Sequence, residues 1–117
     1  QLEGAFGQGA GWLTTEELVF DAAGILKTHA PSTYKIPTIS DRAPDMRIHL
    51  WDRGKNREDV IYKSKAVGEP PFMLGISALM ALSDAIAQAR PDNAYPDLDS
   101  PATPERVLMA VEREGQK

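Results

Sequence analysis

The sequence predicts an α+β fold, with helices packed on a small, mainly antiparallel sheet. Three observations carry this. Leu18-Val19-Phe20 and Ile25-Leu26-Lys27-Thr28 flank a four-residue connection ending in Gly24, which reads as a hairpin. Met46, Ile48 and Leu50 alternate with Arg47, His49 and Trp51, the two-residue period of a half-buried strand. Helical patterns stand at both ends of the chain and after the strands.

Taken in order, the first element is a helix over residues 1–12, where Gly4, Gly7 and Gly11 recur at spacings of three and four. On a helix they form one smooth strip that admits a second backbone. Glycine costs about 1 kcal/mol per helical position relative to alanine, so tertiary contacts must hold this helix together. Thr14-Thr15-Glu16-Glu17 then punctuates the chain, with both glutamates expected in solvent, as are Asp97 and Asp99. Residues 30–46 carry Pro31, Pro37 and Pro44 with little period and read as an extended connection.

After the alternating strand, residues 52–59 form a charged loop and Val60-Ile61-Tyr62 a short strand. From Phe72 to Ala89 the one charge is Asp84, and apolar residues lie on every side, which predicts a buried helix over 75–90. At about 24 Å, and interrupted by Ser77, Ser83 and Asp84, it is too short to span a membrane. Pro91 ends it. A last helix, about 104–114, has Thr103 as N-cap, Pro104 at its first position and a Val107, Leu108, Val111 stripe, with Gly115 as terminator.

At 117 residues one domain is the ceiling, and 42% hydrophobic against 26% charged side chains describes soluble globular material. Thirteen basic and seventeen acidic residues give a net charge of -4, without the basic footprint of a nucleic-acid binder. The absence of cysteine removes disulfides, thiolate nucleophiles, zinc ribbons and iron–sulfur ligation within this segment. The chain opens on Gln1 without methionine, and Gln1-Leu2-Glu3 has no signal-peptide character, so the expectation is a piece of a longer polypeptide.

Several chemical motifs fail on inspection. Gly7-Gln8-Gly9-Ala10-Gly11-Trp12 puts tryptophan where a dinucleotide fingerprint needs glycine, and Gly54-Lys55 lacks the rest of a P-loop. Ser32-Thr33-Tyr34-Lys35 has the spacing of a Ser–Lys hydrolase pair, but Pro31 and Pro37 bracket it and the partner motifs are missing. His29 and His49 stand apart from any carboxylate companion, so no metal ligands are assigned.

Gly68-Glu69-Pro70-Pro71 differs from these. A residue before proline is pushed out of the α region, so Glu69 is expected to be extended, with the double proline limiting its swing. Gly68 leaves the backbone open to a ligand, and the start of the following helix favours an ionised carboxylate, whereas burial opposes it. Two readings remain open on these residues: a general base, or a carboxylate that only complements a helix dipole.

Ser64-Lys65-Ala66-Val67-Gly68-Glu69-Pro70-Pro71 resembles the active-site loop of the xanthine dehydrogenase family of molybdenum hydroxylases. Gln1-Leu2-Glu3-Gly4-Ala5-Phe6 with Gln8-Gly9, Thr15-Glu16-Glu17-Leu18, Pro31-Ser32-Thr33-Tyr34-Lys35-Ile36-Pro37 and Asp99-Ser100-Pro101-Ala102-Thr103-Pro104-Glu105 extend the likeness from Gln1 to about Leu108. Gly7 departs from it, standing where family members commonly have a branched apolar residue.

The resemblance implies that residues 1–117 are a single partial domain, the C-terminal part of a larger molybdopterin-binding domain. It implies that Glu69 is the general base, removing a proton from an oxygen ligand of molybdenum so that this oxygen attacks an electron-poor carbon whose hydrogen leaves as hydride. Gln1 and the backbone at Ala66, Val67 and Gly68 would contact the molybdenum–molybdopterin cofactor, with no metal ligand from this chain. The implied enzyme is cytoplasmic and oxidises xanthine or hypoxanthine, with FAD and iron–sulfur clusters carried elsewhere in the complex. An aldehyde oxidase, another N-heterocycle hydroxylase and a non-catalytic assembly module are the alternatives. The implied partners are the rest of the subunit, the parts bearing flavin and iron–sulfur clusters, and a small purine, with no nucleic acid or membrane. Alone, the chain is expected to be inactive, to bind no cofactor, and to present apolar surface to the rest of the subunit or to another copy.

Overall fold

A computed structural model describes residues 1–65 and 68–113. Four α-helices occur among them: α1 Leu2–Thr14, α2 Glu69–Met73, α3 Ile76–Ala89 and α4 Pro104–Glu112. Two single 3₁₀ turns, Ile39–Asp41 and Ile61–Lys63, lie in the long connection between α1 and α2. Helix α1 packs on α2 and α3, and α4 packs on α3.

The expected sheet is absent from the described residues, which corrects the α+β reading to an all-helical arrangement. The hairpin closes as anticipated, with Gly24 at φ +78° ending its turn. Asp21 Oδ1 accepts from the backbone of Ala23 and Ile25 at 3.0 and 2.9 Å. The Lys27 ammonium, beside the Asp21 carboxylate at 2.9 Å, is the main cause that lowers the Asp21 pKa. Yet the flanks make one isolated antiparallel bridge, Phe20 to Leu26, and go no further. Two residues of pairing cannot propagate without a third strand to add backbone partners and an apolar face. Residues 46–51 form no strand, and their sequence alternation is not matched by burial: Leu50 and Trp51, on opposite phases of it, are both exposed. At Ile61–Lys63, left-handed Tyr62 and Lys63, φ 53° and 55°, make a tight turn in place of the expected strand.

Helix α4 begins as the sequence indicates: Thr103 Oγ1 accepts from Arg106 N at 3.4 Å and Pro104 occupies the first turn. Its last residue is Glu112, and the anticipated terminator Gly115 lies outside the described residues. The segment entering α4 is tied to α1 through Ala102 N and Leu13 O, 2.7 Å apart, which buries Ala102.

Helix α3 is not buried all round. Ser83, Ile86 and Ala87 face inward, whereas Ile76 and Met80 are more than half exposed, as is Leu74 just before the helix. Asp84 accounts for little of this; the chain has too few other elements to cover that surface. The radius of gyration, 18.1 Å, exceeds the roughly 13 Å of a compact chain this long.

As one stretch, Glu69–Ala89 is long and apolar enough, by length and composition alone, to cross a bilayer. The chain breaks it at Leu74 and Gly75, however. That leaves α3 near 21 Å, short of a hydrocarbon core of about 30 Å.

Candidate functional site

Ala5, Gly9 and Trp12 fall on one face of α1 at helical spacing, and this face receives α2. The approach is close because both partners are glycine where they meet. A Cβ on Gly9 would sit 2.1 Å from the Phe72 carbonyl oxygen, and one on Gly75 would sit 2.4 Å from the Gly9 carbonyl carbon. The Trp12 and Phe72 rings pack edge to face, centroids 5.0 Å apart, beside that contact.

This corrects which glycines matter. Gly4 and Gly7, two members of the spacing pattern, face open space. Gly11 is buried, but against Glu16 and Pro37 on another side of α1. Gly9 was visible in the sequence; what hid its role was the absence of any local sign that Phe72 and Gly75 return to it.

Packing α2 here opens a cleft of about 490 Å³ whose lining includes Gln1, Gly4, Ala5, Gln8, Gly68 and Glu69. Of the five residues assigned from sequence, Gln1, Gly68 and Glu69 are thus brought together, although Gln1 and Glu69 lie at opposite ends of a long excursion of chain. Ala66 and Val67 lie outside the described residues. Glu69 is the first residue of α2 and not extended as expected. A helix accepts proline in its first turn because the missing N–H groups there have no intrahelical acceptor, so Pro70 and Pro71 start α2 instead of preventing it. The Glu69 side chain is exposed and receives no hydrogen bond or ion pair from the described residues.

The remaining candidates separate from the cleft. Lys35 Nζ is 2.6 Å from Asp41 Oδ2, a salt bridge that takes the amine away from any hydrolase role with Ser32. That bond is the main cause holding the Asp41 carboxyl at about 2, helped by the Thr38 backbone and hydroxyl. His29 and His49 are exposed, and no cluster of three potential metal ligands occurs among the described residues.

Glu16 and Glu17 are not solvated as expected. Glu16 is 8% exposed and accepts from the Tyr34 hydroxyl at 2.7 Å, which raises the Tyr34 pKa. Glu17 Oε1 pairs with Arg106 Nη2 at 2.8 Å.

Residues 1–43 match the family described as a molybdopterin cofactor-binding domain. Over 94% of its length the chain is 45% identical to xanthine dehydrogenase of Oryza sativa subsp. japonica and 48% identical to xanthine dehydrogenase/oxidase of Rattus norvegicus. Over 96% it is 42% identical to aldehyde oxidase 1 of Bos taurus. It spans 8–9% of the length of these curated relatives.

The cleft suits one edge of such a cofactor. The Gln1 carboxamide offers a donor and an acceptor, and side chains no larger than methyl at Gly4, Ala5 and Gly68 leave the wall open to a bulky group. Glu69 lines the same space from α2, while Gln1 and Gln8 bring carboxamides to it from the α1 side.

Proposed function

This chain is a molybdopterin-binding segment of the xanthine dehydrogenase family of molybdenum hydroxylases, and on that premise we propose that Glu69 is the general base of a purine hydroxylation. The observation that carries the reading is the shared cleft: the carboxylate of Glu69 and the carboxamide of Gln1 face one space, although the chain between them includes the whole α1–α2 connection.

In this reading the molybdenum–molybdopterin group, when bound, supplies the two-electron oxidation of the ring carbon. The chain's own residues supply position and proton handling. Gln1 hydrogen-bonds the cofactor edge, and the backbone at Gly68 lines the same edge. Glu69 Oε takes the proton from the attacking oxygen, and α2 keeps it at the cleft. Water exclusion and the grip on the substrate fall to other parts of the polypeptide, together with the flavin and iron–sulfur centres. A cytoplasmic setting belongs to the same proposal and is tested by fractionation.

Higher identity to the two xanthine dehydrogenases than to the aldehyde oxidase supports a purine over an aldehyde. The test is Glu69→Gln in the full-length enzyme, assayed with xanthine, hypoxanthine and an aromatic aldehyde. General-base removal lowers turnover by about 10²–10⁴-fold with molybdenum content retained. Unchanged turnover reduces this segment to a structural module, and a preference for the aldehyde moves the substrate to the other branch.

A further inference from the structure

We propose that Gly9 and Gly75 are positioning residues for Glu69, their backbone contact setting how far across the cleft from Gln1 the carboxylate stands. The proposal rests on the reading of Glu69 as the base.

The contact is reciprocal and has no soft component. The Gly9 position is blocked by the Phe72 carbonyl at 2.1 and 3.0 Å, and the Gly75 position by the Gly9 carbonyl carbon at 2.4 Å, Ala10 N at 2.6 Å and Gly9 Cα at 2.8 Å. Every one of these obstacles is main chain, so no side-chain rotation makes room for a methyl group. Restoring ordinary contact, which begins near 3.4 Å, moves the two backbones apart by about 1 Å. The displaced piece is the one that matters: Phe72 belongs to the five-residue helix that starts at Glu69, and Gly75 follows that helix after Leu74 alone. Glu69 receives no bond from a described neighbour, so its place depends on where α2 sits. A displacement near 1 Å at a reacting group costs on the order of 100-fold in rate.

Gly7 provides the internal comparison. It lies on the same helix, a Cβ there meets nothing within 4 Å, and it does not line the cleft. Any general intolerance of α1 to alanine therefore shows at Gly7 as well.

The experiment uses the full-length, molybdenum-loaded enzyme with Gly9→Ala, Gly75→Ala and Gly7→Ala, each alone and combined with Glu69→Gln. Rates are expressed per molybdenum atom, and the Gly9→Ala structure is solved. Expected are a fall of about 100-fold in kcat for Gly9→Ala and Gly75→Ala, KM near that of the parent, Gly7→Ala unaffected, and α2 displaced by about 1 Å from α1. In the Glu69→Gln background the glycine variants should cause little further loss in the single-turnover rate, because the group they misplace is already gone. Parent-like kcat per molybdenum in both variants overturns the proposal. So does a full additive loss in the Glu69→Gln background, or failure of both variants to load molybdenum, since the contact then serves the fold and not the carboxylate. If Glu69→Gln itself retains parent turnover, the base reading fails, and the crystallographic shift still reports on the contact separately.

Discussion

Arg106 binds two acceptors at once: its Nη2 lies 2.8 Å from Glu17 Oε1, and its Nη1 donates to the Pro101 carbonyl at 2.8 Å. Helix α4 is thereby joined to the turn that follows α1, across the interval that separates them in sequence. The ion pair is more than one-third exposed on both sides and contributes only tenths of a kcal/mol. The charge-assisted bond to the carbonyl adds more.

Arg106→Ala is therefore expected to destabilise the docking of α4 by about 1–2 kcal/mol. Arg106→Lys should recover less than half of the loss, because a single ammonium cannot reach both acceptors in the fixed fork geometry of a guanidinium. Denaturant unfolding of the three proteins measures both effects. Equal stability of all three would show that the junction is held by Ala102 and Leu13 alone.

The acid and alkaline limbs of the stability profile should be separable by mutation. The Asp41 carboxyl is held at about 2, below its ordinary 3.8, by Lys35 and Thr38. Its contribution is present above pH 3.8 and fades as pH falls toward 2. Tyr34 is shifted the other way, above 10.0, by its bond to Glu16. Stability from that hydroxyl is complete below pH 10.0 and is lost as pH rises through the raised value. Asp41→Asn should flatten the acid limb only, and Tyr34→Phe the alkaline limb only, in thermal midpoints recorded against pH.

The isolated chain should self-associate through Leu74, Ile76 and Met80, which are 64%, 56% and 52% exposed. Adjacent apolar surface of this kind seeks a partner. Met80→Glu is expected to shift the sedimentation profile toward monomer. A monomeric parent chain at high concentration would count against it.

The ends of the fold were legible in the sequence because helix signals are local. Thr103 and Pro104 announce the start of α4 within two residues, and Gly24 marks its turn by itself. The sheet was misread because alternation at residues 46–51 records which side of a strand is apolar, not whether a second strand is present to pair with it. The burial of Glu16 was equally hidden, since its partner Tyr34 arrives from beyond the hairpin. At the cleft, the residue types were readable at Gln1, Gly68 and Glu69, but the helical start of α2 ran against the usual bias of a residue before proline.

Helix α2 closes little more than a single turn, and a segment that short has almost no cooperative rigidity of its own. It is held against α1 by the Trp12–Phe72 ring pair and the paired glycines. A displacement of α1 is therefore passed to α2 and so to the Glu69 carboxylate, and under the base role proposed above α1 becomes a lever on that group's position.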